Sequence, residues 1–205
     1  MTPQKAGGRR AEYAAATRQA ILTAARELFV ERGYFGTKVD DIASQARVAA
    51  PTVYAVGGGK SGLLLALIQE GVNSSEAEQA YQQILAQSDP AELVAYLVEA
   101  TRAMFESWSP LMRQVIAAAP QEAAVRETLA LANAGMRQGM VLAARRLDEL
   151  GGLRPGVSAD RAADVFWYYL GNASYFTLTD ELAWSPPQAA EWLHQQLVRE
   201  VLPPA

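Results

Sequence analysis

An all-α fold of about nine helices, with a small three-helix domain at the N-terminus and a larger helical domain behind it, is predicted by three observations. Apolar residues recur at spacings of three and four over most of the 205 residues. The alternating Val/Ile/Thr runs that mark strands are missing. Breakers sit where helices should stop or start, at Asp89-Pro90, Ser109-Pro110, Pro120, Gly151-Gly152, Pro155-Gly156 and Ser185-Pro186-Pro187.

The first helix is expected over about 12–32. Ile21, Leu22, Ala25, Leu28 and Phe29 form one apolar stripe along it, and Gly33 stops it. A second, short helix starts at Thr37, which can cap it while Asp40 reaches back, and buries Val39, Ile42, Ala43 and Ala46. After a turn at 47–49, Pro51 suits the first turn of a third helix carrying Thr52, Val53 and Tyr54, and Gly57-Gly58-Gly59 ends it. Longer helices follow at roughly 61–87, 90–107, 110–119, 121–150, 158–180 and 186–202. No repeat of 20–50 residues is present, which argues against a solenoid.

Charge divides the chain. Residues 1–60 hold nine Lys or Arg against five acids, a balance of +4, while the rest holds nine against seventeen, or −8, which together give the net −4. A basic head on an acidic body is the footprint of a nucleic-acid-binding module joined to something else. Two short helices around a three-residue turn, preceded by a longer amphipathic helix, fit a helix-turn-helix whose last helix enters the major groove. The expected division is therefore a DNA-binding domain over 1–60 and a ligand-binding and dimerisation domain over 61–205.

Residues 17–67 also resemble the tetracycline-repressor (TetR) family of bacterial regulators. The resemblance rests on spaced elements taken together: AARELFVERGY, then GTKVDDIA, then PTVY followed by Lys60-Ser-Gly-Leu. The segment SADRAADVFWYYLGNASYF with WSPPQAAEWL is similar to the dimerising end of many members. The resemblance implies an all-helical regulatory domain, a homodimer, a double-stranded DNA operator and a small-molecule effector. Carried over by position, it implies that Thr37, Thr52, Tyr54 and Lys60 contact the DNA backbone, with Thr52 also near bases. Hydroxyls and an ammonium are ordinary phosphate donors, and Lys60 stands at a helix N-terminus. The residues themselves leave another reading open, in which Thr37 and Ser61 are caps and Tyr54 packs on the first helix.

Three positions depart from the family's usual pattern: Arg47 where glycine is usual, Ala49 near where a capping serine is usual, and Gly57 in place of a bulky aromatic. A non-glycine in a left-handed turn costs about 1–2 kcal/mol and a lost cap about 1. A missing aromatic costs about 3 more if its space stays empty. Together they predict that residues 47–59 are mobile without DNA. Ala49, Ala50 and Ala55 cannot hydrogen-bond a base, so specificity is expected partly from Arg47 and from a basic arm of Lys5, Arg9 and Arg10. A solvated tail is the other reading of that arm.

In the second half, Met104, Phe105, Trp108 and Met112 cluster in one stretch, Met136 and Met140 in another, and Trp167, Tyr168, Tyr175 and Phe176 in a third. Such residues line apolar pockets, and Asn133, Tyr168 and Asn172 could supply polar contacts. Residue by residue, a place in the core is the competing assignment. The helix containing Gly171, Ala173 and Ser174, with the last helix, could form a four-helix dimer interface.

Catalysis is not expected. There is no cysteine, no nucleophile elbow and no phosphate loop preceded by a strand. Glu191 and His194 have the i, i+3 spacing of a helical metal pair but no second copy, so no metal and no cofactor are expected. The longest apolar runs, Leu63–Ile68 and Val165–Leu170 among them, are six residues, far short of the roughly 20 of a spanning helix. The basic start leads into a charged amphipathic helix instead of a signal-peptide run. A cytoplasmic protein with no membrane partner is expected. The competing function is a helical ligand-binding or scaffolding protein whose helix-turn-helix has lost specific DNA binding.

Overall fold

The structure, a computed structural model, describes residues 6–204, so Lys5 of the expected arm lies outside the described residues. Among those described there is no strand, in keeping with the predicted class. Helix α1 spans Ala6–Gly36 but is broken at Gly33 (φ 77°, ψ 161°), so the regular part ends where glycine was expected to stop it. Arg9 and Arg10 are exposed on its first turns, in helix and not in an extended arm. Helices α2 (Val39–Ala46) and α3 (Ala50–Gly57) follow, separated by the expected three-residue turn. Then come α4 (Lys60–Val72), α5 (Ser75–Ala86), α6 (Pro90–Ala118), α7 (Ala123–Glu149), α8 (Ala159–Leu170), α9 (Asn172–Phe176), a π-helical turn over Thr177–Glu181, and α10 (Pro186–Val201).

Four local expectations are corrected. Thr37 does not cap α2. Its hydroxyl is turned inward, and the cap position falls on Lys38, whose backbone N–H donates to Asp41 Oδ2 at 3.1 Å. The helix expected over 61–87 is two, because Ser74 caps α5 by accepting from the Ala77 N–H at 3.1 Å and Glu76 and Glu78 favour the new N-terminus. The helices expected to break at Ser109-Pro110 are one, α6. There the Ser109 hydroxyl donates to the Phe105 carbonyl, and Leu111 and Val115 stay buried beyond the proline. The helix expected over 158–180 breaks at Gly171, where a Cβ would lie 2.6 Å from the Trp167 carbonyl oxygen.

Packing groups the chain into two compact units. One holds the described residues up to Gly71 together with Pro110–Ala132, and the other holds Val72–Ser109 with the residues from Asn133 on. In the first unit the predicted stripe of Ile21, Leu22, Ala25, Leu28 and Phe29 is at most 1% exposed, and it shares the core with Ile42, Val53, Leu63 and Leu64. The second unit is built on Leu93, Val94, Ala143, Leu147, Phe166, Leu170, Leu193 and Leu197. Each such large side chain contributes about 1.5–3 kcal/mol by leaving water.

Candidate functional site

The geometry of the helix-turn-helix follows from how α2 ends. Arg47 adopts the left-handed conformation (φ 57°, ψ 43°) while its N–H donates to the Ser44 carbonyl at 3.2 Å and the Val48 N–H to the Ala43 carbonyl at 2.9 Å. This is the double hydrogen bond of a Schellman motif, with arginine at the position usually held by glycine. The turn aims α3 so that Val53 is fully buried, Thr52 half-buried and Tyr54 54% exposed. Ala49 offers no side-chain cap, and Arg47, Ala49 and Ala55 are exposed, as is Tyr54. Gln45 Nε2 donates to Glu27 Oε2 at 2.5 Å, tying α2 to α1.

Gly57 is compensated. A Cβ placed on it would lie 2.4 Å from Leu63 Cδ2, so a leucine one turn into α4 occupies the space that an aromatic would take. Gly62 is required in turn, since its own Cβ would overlap the Gly57 carbonyl oxygen. Of the three departures expected to loosen this segment, the empty space is therefore not present.

The break at Gly33 exposes carbonyls that the helix no longer satisfies, and two candidate residues take them. The Thr37 hydroxyl, 1% exposed, lies 2.8 Å from the Gly33 carbonyl oxygen and 3.1 Å from that of Leu28. Lys60 Nζ donates to the Tyr34 carbonyl at 2.8 Å and lies 4.6 Å from the centre of the Tyr34 ring. The Tyr34 hydroxyl donates to Glu122 Oε2 at 2.6 Å, and the Ser61 hydroxyl is hydrogen-bonded to the same phenol. Burial, then the Glu122 carboxylate, push the phenol well above the usual tyrosine range, so it stays protonated and donating. Tyr34, Ser61 and Glu122 are thus part of the site although only Ser61 had been singled out, and as a cap. Tyr34 carries a sequence signal in its place directly after the helix-stopping glycine, whereas Glu122 carries none.

The candidate pocket residues are distributed unevenly. Asn172 Nδ2 donates to Asn133 Oδ1 at 2.9 Å, which brings the two expected polar groups together. Phe105 stacks on Tyr175 (centroids 3.8 Å apart, planes 7° apart) and meets Phe176 edge-on at 5.7 Å. Met140 is 2% exposed within the core, and Met136 and Trp167 pack against that core from its margin. Met104 and Trp108 are half-buried, whereas Met112 is 7% exposed and belongs to the other compact unit. Tyr168 is 70% exposed on α8 and faces away from this group. Arg137 pairs with Asp164 at 2.6 Å and lies over the Trp167 ring at 5.8 Å. Tyr175 and Phe176 were visible as an aromatic cluster, but their contacts with Phe105, far earlier in the chain, were not.

His194 and Glu191 line an open groove of about 430 Å³ with Glu99 and Arg102. Among the described residues, no three His, Cys, Asp or Glu side chains are grouped to hold a metal ion. No single described helix is long and apolar enough to cross a membrane.

A basic helix-turn-helix followed by an acidic helical body defines a DNA-binding regulator. Residues 21–67 match the family described as "Bacterial regulatory proteins, tetR family". No curated protein matches the chain by sequence. Among solved structures, NalD of Pseudomonas aeruginosa, described as the secondary repressor of the MexAB-OprM multidrug efflux pump, is 26% identical with a TM-score of 0.69, covering 93% of this chain and 98% of NalD. The SmeT–triclosan complex has a TM-score of 0.73 at 21% identity, over 91% and 92% of the two chains. The regulator FadR from Bacillus subtilis in complex with stearoyl-CoA has 0.71 at 18% identity, over 88% and 97%. Residues 21–67 thus match the tetR-family helix-turn-helix, and the chain shares the fold of these solved regulators.

Proposed function

We propose that the protein is a dimeric cytoplasmic repressor, released from a palindromic operator by a small, largely apolar ligand. Residues 1–60 read DNA, and residues 61–205 bind the ligand and dimerise. The observation that carries this reading is α3, anchored by Val53 and held by the Arg47 turn so that Tyr54 and Arg47 are exposed and Thr52 half-buried. Two copies about 34 Å apart would read one turn of a palindrome. Dimerisation is assigned to α8 and α10, which pack on each other through Tyr169 and Trp192 (centroids 6.1 Å apart) and leave Tyr168 outward.

The ligand reading rests on the Asn133–Asn172 pair next to apolar helices, and it draws support by analogy from triclosan on SmeT and stearoyl-CoA on FadR. A ligand that favours a dimer with a different helix spacing lowers DNA affinity by the coupling free energy, typically about 1–3 kcal/mol. The mechanism needs no bond-making step.

The alanine-rich α3 favours a second reading, a ligand-binding or scaffolding protein that no longer selects DNA. Footprinting on the DNA upstream of the protein's own gene separates the two. A protected palindrome released by an apolar effector supports the repressor, whereas equal affinity for random DNA at every salt concentration rejects it.

A further inference from the structure

Glu122 lies just ahead of α7 and far from the helix-turn-helix in sequence, yet it is the hydrogen-bond acceptor for Tyr34 at 2.6 Å within the same compact unit. Tyr34 in turn holds Lys60 twice, by its carbonyl at 2.8 Å and by its ring face at 4.6 Å. We propose that Glu122 is a positioning residue for DNA binding, fixing the Tyr34 phenol and through it the Lys60 ammonium at the start of α4. This inference rests on the reading of Lys60 as a phosphate contact.

The physical reason is the flexibility of lysine. A free lysine side chain carries considerable rotamer entropy, which a phosphate contact must repay. Here one of the three ammonium N–H groups is already spent on the Tyr34 carbonyl, and the tyrosine ring covers the same ammonium. The stem is held in place before DNA arrives. The ring can do this only if it stays put, and its hydroxyl is pinned between the Ser61 hydroxyl and Glu122. Gln114 packs at the Gly33 break beside it, its Oε1 only 3.2 Å from where a Cβ on that glycine would lie. The end of α6 and the start of α7 therefore bear on the turn that presents Lys60.

Salt dependence of DNA binding reads the effect directly, because each phosphate contact contributes about −0.9 to the slope of log K against log salt. Lys60→Met should flatten the slope by about 0.9. Glu122→Ala and Tyr34→Phe, which leave Lys60 charged, should flatten it in the same direction and weaken binding about three- to tenfold. Glu122→Gln, which keeps an acceptor for the phenol, should restore most of the affinity. In the Lys60→Met background, Glu122→Ala should cause no further loss. A Glu122→Ala protein that melts lower but binds with unchanged affinity and slope overturns the proposal, as does an additive loss in the Lys60→Met background. If the unmodified chain binds with the variants unaffected, this inference alone fails. If the unmodified chain binds no DNA, the repressor reading falls with it.

Discussion

Leu63 stands in for a side chain at Gly57, with its Cδ2 2.4 Å from where a Cβ on that glycine would be. Two residues six apart therefore share one site in the core between α3 and α4, and the volume of one limits the other. Gly57→Ala should destabilise the protein by about 1–3 kcal/mol through overpacking. Gly57→Phe should be tolerated better when Leu63 is shortened to Ala than when it is kept. Urea denaturation of the single and double variants checks this, and equal stability of the two would show that Leu63 is not the obstacle.

Arg47 stores strain at the turn. At φ 57° a side chain costs about 1–2 kcal/mol that glycine does not, so Arg47→Gly should raise stability by about 1 kcal/mol. If the exposed guanidinium also meets DNA, the same variant should bind more weakly with a flatter salt dependence. Thermal melting and DNA titration on one preparation read both signs, and a lower melting temperature would contradict the strain.

Thr37→Val removes a hydroxyl that serves the Gly33 and Leu28 carbonyls in the buried interior. The expected cost is about 1–3 kcal/mol, with Thr37→Ser close to the original protein. The salt dependence of DNA binding should not change, because the hydroxyl faces the protein. A flattened salt slope at unaltered stability would instead make Thr37 a phosphate contact.

Alkaline pH should act on Tyr34. Its folded pKa is raised above the ordinary 10.0 by burial and by Glu122. The unfolded chain therefore loses its proton first. The associated stability is fully present below about pH 10 and is lost as pH rises through the folded value. Tyr34→Phe should fall less steeply in melting temperature above pH 10 than the unmodified chain, whose other tyrosines are common to both. Parallel curves would argue against the shift.

Phe105→Ala should cost about 3–5 kcal/mol, since the ring is 1% exposed and stacked on Tyr175. A loss below about 1 kcal/mol would mean that Phe105 borders open space, and would move it from core to pocket wall.

The three-helix domain was legible because its signals are local. The stripe from Ile21 to Phe29, the stop at Gly33 and the turn at 47–49 each depend on residues within a few positions. The cap at Ser74 was not, because the surrounding helical period hid a serine ahead of two glutamates. The continuity of α6 through Pro110 was hidden too, because local preference favours a break there and the buried Leu111 and Val115 oppose it.

What the sequence alone determined is therefore the helical class and the placing of the helix-turn-helix, while the family resemblance pointed to a left-handed turn at Arg47. Tertiary structure decided which way Thr37 faces, that Leu63 fills the place beside Gly57, and that Glu122 reaches Tyr34 from 88 residues away. The reason is the range of the forces involved. Periodicity, caps and stops act within a turn or two of helix, whereas partners between helices depend on how separate helices come to pack against one another.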